Sequence, residues 1–99
     1  MLNIQKTTDK EKTVFALGGR LDTITAPELE KELKTALDGV KNLVLDFEAL
    51  TYISSAGLRV LLSAQKVMNR QGEMKITHVN DTIREIFEVT GFTEILTIE

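Results

Sequence analysis

The segment Tyr52-Ile53-Ser54-Ser55-Ala56-Gly57-Leu58 holds the residues best suited to chemistry. Two adjacent hydroxyl side chains, followed by Ala and Gly, stand between an apolar stretch and a run with helical spacing. Serine is favoured at a helix N-cap, where its oxygen accepts one of the orphan backbone N–H groups. The start of a helix also offers free donors and about +0.5 of a charge, so an added phosphate is tolerated there. Two readings follow. Ser54 or Ser55 is a plain cap, or Ser54 is the cap and Ser55 an exposed first-turn hydroxyl open to modification. Both can hold together.

Other candidates are few. Asp22, placed after an apolar stretch and before Thr23, suits a turn. His78 is the only histidine, and a lone His on a strand reads as a packed or surface residue. A serine nucleophile needs a base, and His78 is the one available; the segment also lacks the Gly-x-Ser-x-Gly spacing of a hydrolase elbow. The expectation is a chain that is not an enzyme. With no Cys and one His, a transition-metal site has too few ligands, and no Asp/Glu cluster suggests Mg²⁺. Gly18-Gly19 lacks the spacing of a phosphate loop. No metal or cofactor is expected.

The elements that must position these residues follow from periodicity. Leu2 and Ile4 alternate with Asn3 and Gln5, and Thr13–Leu17 reads as the second strand of a hairpin closed by Asp9-Lys10-Glu11. Thr25 as N-cap, Pro27 in the first turn and Glu28 three residues on begin a helix whose stripe is Leu29, Leu33, Ala36 and Leu37. Leu43–Phe47 is a nearly continuous apolar run, as expected of a central strand covered on both faces. From Leu58, the residues Leu61, Leu62 and Met68 continue a second helix that Gly72 closes. Met74–Val79 is a further strand, Asn80 or Asp81 caps a third helix carrying Ile83, Ile86 and Phe87, and Ile95–Ile98 is a last strand. The order β-β-α-β-α-β-α-β predicts a single α/β domain over 1–99, with helices packed on a mixed five-stranded sheet.

Composition narrows the function classes. The 99 residues are 42% hydrophobic with a net charge of -3. An acidic balance with scattered Lys and Arg argues against nucleic-acid and membrane partners. The absence of Cys suits a reducing compartment, and the opening residues read as no secretory signal, so a cytoplasmic location is expected.

Ile53-Ser54-Ser55-Ala56-Gly57-Leu58 resembles the signature of STAS domains, and specifically of bacterial anti-sigma factor antagonists: an Asp, the phosphorylated Ser, then Ser, Thr or Ala, then Gly-Leu. Gly19-Arg20-Leu21-Asp22 resembles a second family element, Gly-x-Leu-Asp, and Val44-Leu45-Asp46-Phe47 matches the apolar strand before the signature. The order of elements agrees, so the resemblance covers nearly the whole chain. It implies a STAS-like fold and a non-catalytic interaction module that regulates transcription indirectly. Unphosphorylated, such a module binds an anti-sigma factor that is also a Ser kinase; phosphorylation at Ser55 releases it, and a Ser phosphatase would be a further partner. ATP and Mg²⁺ belong to the kinase. The implied contact residues are Asp22, Thr23, Thr25, Ser54, Ser55, Ala56, Gly57, Arg59 and Ser63. Ser54 stands where many antagonists carry Asp, and the alternative within the family is an adaptor subunit of a transporter or signalling assembly without a phosphoswitch. Many members add a helix after the last strand, where this sequence stops, which would leave a surface for pairing; a monomer or weak dimer is expected.

Overall fold

Alternation along the strands decides which face of the sheet is covered. The computed structural model describes residues 2–99. Leu2–Asp9 (β1) and Lys12–Leu21 (β2) form an antiparallel hairpin in unbroken register from Leu2↔Gly19 to Asp9↔Lys12. Asn42–Ile53 (β3) pairs parallel with β2, and Glu73–Thr77 (β4) pairs parallel with β3, giving the order β1-β2-β3-β4. The crossovers are the helices Ala26–Ala36 (α1) and Ser55–Gln71 (α2), and Asp81–Thr90 (α3) follows β4. Two successive right-handed crossovers stepping the same way along a sheet place both helices on one face.

Burial agrees with that geometry. Thr13, Phe15 and Leu17 on β2, Leu43, Leu45 and Phe47 on β3, and Met74 and Ile76 on β4 are buried beneath the helices. Phe47 meets Phe87 of α3 with ring centroids 6.4 Å apart. The intervening residues Val14, Ala16, Val44, Asp46, Lys75 and Thr77 are only half-buried. The expectation that Leu43–Phe47 is covered on both faces is therefore corrected: the run is apolar, but every second residue faces the open side of a two-layer structure.

Two register shifts between β2 and β3 matter for the site. Ala16 opposes Asp46 but Gly18 opposes Ala49, and Gly19 opposes Leu50 but Arg20 opposes Tyr52. Each shift inserts one extra residue into β3, so its buried positions run 43, 45, 47, 50 and 53 rather than alternating strictly. Thr51 Oγ1 donates to the Gly19 carbonyl at 2.8 Å at the second shift. The consequence is that Leu21 and Ile53 end side by side and buried, and the chain turns directly into α2.

The sheet has four strands, not five. Ile95–Ile98 forms a single bridge, Ile76↔Ile98, after a 3₁₀ turn at Phe92–Glu94. Leu96 N–H donates to Phe92 O at 2.8 Å, which keeps the segment coiled until its last three residues, where Ile76 N–H reaches Thr97 O and Glu99 N–H reaches Ile76 O. The apolar alternation is real: Leu96 is buried and Ile98 half-buried, while Ile95 and Thr97 are exposed. Burial of those two side chains is achieved without a ladder. Among the described residues, no helix is long and apolar enough to cross a membrane.

Candidate functional site

The ends of β2 and β3 present two loops that one hydrogen bond ties together. Ser54 N–H donates to Leu21 O at 2.9 Å, so the turn after β2 and the start of α2 form one surface. Ser54 is the N-cap, in extended conformation, and its hydroxyl accepts from Gly57 N–H at a long 3.5 Å. Ser55 is the first residue of α2 and its side chain is exposed. The cap and the open hydroxyl are thus two different residues, as the sequence allows.

Gly57 explains the small residues of the signature. A Cβ built at Gly57 would lie 2.8 Å from Ile53 Cγ1 and 2.8 Å from Leu21 Cγ. Only glycine lets the first turn of α2 sit directly on the ends of β2 and β3, which is what brings Ser55 to the loop that follows β2.

That loop is organised by Asp22. Its Oδ1 accepts from Ile24 N–H and Thr25 N–H, both at 3.0 Å, and its carbonyl accepts from Ala26 N–H at 2.8 Å. Asp22 N–H in turn donates to Thr25 Oγ1 at 2.9 Å, and that hydroxyl donates to Arg20 O at 2.8 Å. The Thr25 amide holds the Asp22 carboxyl below the usual carboxylate range, against a partial desolvation, with help from the Thr25 hydroxyl, the Ile24 amide and the Arg20 guanidinium. Arg20 Nε lies 3.7 Å from Asp22 Oδ2 and its guanidinium stacks 4.4 Å from the Tyr52 ring centroid. Asp22 is therefore a turn-former in fact, and the start of α1 is held by its carboxylate rather than by a Thr25 side-chain cap, which does not form.

The structure sorts the expected contact residues by depth. Thr23, Ser55, Arg59 and Ser63 are exposed, and Asp22, Ser54 and Ala56 are half-buried. Ser55, Arg59 and Ser63 fall at four-residue intervals along α2, on its outward side. Thr25 and Gly57 are buried, Thr25 to 6% exposure. These two shape the surface from beneath. Ser63 also borders an open groove of about 530 Å³ between α1 and α2, floored by Leu33, Leu37, Val60 and Ala64.

Two features escape sequence reasoning. Ile24, at the tip of the Asp22 loop, is 84% exposed; the only signal is an apolar residue flanked by threonines. His78 pairs with Asp46 at 2.9 Å on the open face of the sheet, a contact between residues 32 apart that no spacing announces. Asp46 also accepts from Glu48 N–H at 3.0 Å. From Asp46 to Ile53 is seven strand residues, about 20 Å, so His78 is not brought to the Ser55 hydroxyl.

The chain matches the family model described as the STAS domain over residues 3–99. An anti-sigma-B factor antagonist of Staphylococcus aureus is 34% identical over 97 residues, 96% of this chain and 90% of the relative. A Bordetella bronchiseptica protein, BtrV, named as a candidate anti-sigma factor antagonist, is 40% identical over 87 residues, 86% of this chain and 75% of its own. Among solved structures, an anti-sigma factor antagonist from Mycobacterium paratuberculosis superposes with TM-score 0.88 at 20% identity, over 99% of this chain and 85% of that one. The Bacillus cell fate determinant SpoIIAA in its phosphorylated form gives 0.77 at 21%, over 98% and 91%. Both share the fold.

Proposed function

Because the chain belongs to the STAS domain family, we propose that it is an anti-sigma factor antagonist switched at Ser55. Unphosphorylated, it binds an anti-sigma factor with Ser kinase activity and frees a sigma factor; phosphorylated, it lets go, and a phosphatase resets it. The observation that carries this reading is the exposed Ser55 hydroxyl in the first turn of α2, in a chain whose relatives carry the antagonist name. The surface is built from Asp22, Thr23, Ser54, Ser55, Ala56, Arg59 and Ser63.

The physics of the switch is local. A phosphate adds about −1.5 to −2 charges at neutral pH. At an exposed helix N-terminus each unit is tolerated or mildly stabilising, by roughly 0.3–1 kcal/mol, so the fold survives. Its effect falls on the partner: a like charge about 4 Å away near a surface costs ~4 kcal/mol before screening, which is roughly a thousandfold in affinity. Ser54 in place of the family's usual Asp keeps the cap, since both residue types serve there, and removes a negative charge beside the acceptor.

The test is a kinase assay with the anti-sigma factor of the same genome. With ATP and Mg²⁺ we expect one phosphate per chain, lost in Ser55→Ala and retained in Ser54→Ala. Labelling that persists in Ser55→Ala overturns the assignment. Because Ser55 is exposed, Ser55→Ala should shift stability by no more than about 0.5 kcal/mol, so loss of label is not loss of fold.

A further inference from the structure

We infer that Ile24 is the apolar anchor of the partner interface, a side chain held rigidly in water by the free chain and received in an apolar pocket of the anti-sigma factor. The inference rests on the reading of the Ser55 surface as the antagonist surface. Ile24 is 84% exposed, more than Val89, Ile95 or Val67. Single exposed apolar residues are common, so exposure alone decides nothing. Presentation does. The Ile24 amide is fixed to Asp22 Oδ1 at 3.0 Å, as is that of Thr25, while Thr25 Oγ1 is fixed to Arg20 O at 2.8 Å and Ala26 N–H to Asp22 O at 2.8 Å. The loop is ordered before any partner arrives, and a β-branched side chain has little rotamer freedom left to lose. Val89, at 77%, lies in the last turn of α3 and not in the loop joined to Ser54.

Location ties the anchor to the switch. The Ser54 N–H to Leu21 O bond places Ile24 at most about 20 Å along the chain from Ser55. That lies inside the roughly 30 Å breadth of a standard interface patch of about 800 Å² per partner. Interface anchors of this kind are central and apolar, with a polar rim. Here the rim on this chain carries Arg20, stacked on Tyr52 and 3.7 Å from the Asp22 carboxylate, and Arg59 on α2, whose exposed guanidinium is the cation nearest Ser55 along the helix. The occupant this chemistry fits is a protein surface with an apolar pocket bordered by carboxylates. An acidic border that attracts Arg59 is the same border that repels a phosphate on Ser55, so anchor and switch act on one partner surface.

The test titrates wild type, Ile24→Ala, Ile24→Gln and Ser55→Glu against each purified anti-sigma factor of the same genome by calorimetry. Melting temperatures of the Ile24 variants should stay within about 2 °C of wild type, because the side chain is in water. Affinity should fall at least ~10-fold for Ile24→Ala and further for Ile24→Gln, as expected when a buried aliphatic contact is lost and then replaced by an amide. If wild type binds and both Ile24 variants bind within twofold of it, the anchor is refuted while the antagonist reading stands. If wild type binds no anti-sigma factor, both fall. If sedimentation shows that the Ile24 variants only dissociate a dimer of this chain, with partner affinity unchanged, Ile24 belongs to self-association and the inference is overturned.

Discussion

The two ends of α2 are each built around a glycine, and they differ in what the glycine admits. At the N-terminal end, Gly57 makes room for the side chains of Leu21 and Ile53; at the C-terminal end, Gly72 makes room for backbone. A Cβ at Gly72 would fall 1.9 Å from Lys41 O, the carbonyl that accepts Glu73 N–H at 2.9 Å and so starts β4 beside β3. Gln71 closes the same corner, its Nε2 donating to Leu37 O and Val40 O at 2.6 and 2.7 Å. One end is tight beneath an open hydroxyl, and the other is tight throughout. The N-terminal end is a packed base with a hydroxyl left outward, whereas the C-terminal end satisfies its groups internally.

Substitutions at the two glycines should separate these cases. Gly72→Ala is expected to be the most damaging, exceeding the ~1–3 kcal/mol typical of overpacking, because backbone cannot yield as side chains do and the Glu73 bond is strained with it. Thermal or denaturant unfolding measures this, and a loss below about 1 kcal/mol would show that the Lys41 strand start shifts freely. Gly57→Ala gains about 1 kcal/mol of helix propensity against about 1–3 kcal/mol of crowding, leaving a net loss of roughly 0–2 kcal/mol. Its effect on partner affinity should exceed its effect on stability, since displacing the first turn moves Ser55. Equal effects would mean that the position of the hydroxyl is not what the glycine protects.

A finer probe sits on the cap. The Ser54 hydroxyl accepts at a long 3.5 Å, so Ser54→Ala should cost about 0.5 kcal/mol, the low end of the N-cap range. Ser54→Asp should add roughly 0.3–1 kcal/mol by placing a negative charge at the helix start. The same substitution places before Ser55 the Asp that many antagonists carry there, so phosphorylation of Ser55 should be retained or faster while stability rises.

How much of this was legible follows the same division between local and distant causes. The start of α2 was readable because cap, small residues and apolar stripe all act within a few residues of one another. The start of α1 was read at the right place for a partly wrong reason: Thr25 is the boundary, but Asp22, three residues earlier, holds the amides. The extent of β2 and β3 was under-read, because Gly18-Gly19 looks like a strand end and instead continues β2 opposite the bulges of β3, with Gly18 against Ala49 across the pair. Ile95–Ile98 has the alternation of a strand, and alternation correctly marks Leu96 and Ile98 as inward; it cannot tell that the Phe92 carbonyl holds the Leu96 amide. Which face of β3 is bare depends on the handedness of two crossovers rather than on its own residues, so an apolar run alone overstated the covering.

The Asp46–His78 pair lies at neither end of α2 and supplies the small end of the scale. The hydrogen bond from His78 to Asp46 and the attraction of that carboxylate raise the imidazole above its usual 6.5, with Glu48 adding to it and partial desolvation opposing. Desolvation pulls the Asp46 carboxyl up, but the Glu48 amide and His78 outweigh it and the net position is below 3.8. The signs are opposite. His78 contributes stability that is complete below its unfolded value near 6.5 and is lost as pH rises through its higher folded value; Asp46 contributes stability that is present above its unfolded value near 3.9 and is lost as pH falls through its lower folded value. The pair therefore supports the fold most between these limits, in the weakly acidic range. His78 also sits at φ 58, in the left-handed region, where Asn is tolerated better than most residues. His78→Asn thus removes the titrating group with little backbone penalty. The melting temperature of wild type should exceed that of His78→Asn at about pH 5.5, and the gap should narrow as the pH is raised past neutrality. A gap that stays constant from pH 5.5 to 9 would show that the pair is geometric rather than electrostatic. Both termini of α2, having no titrating group in their packing, should give substitution effects independent of pH over the same range.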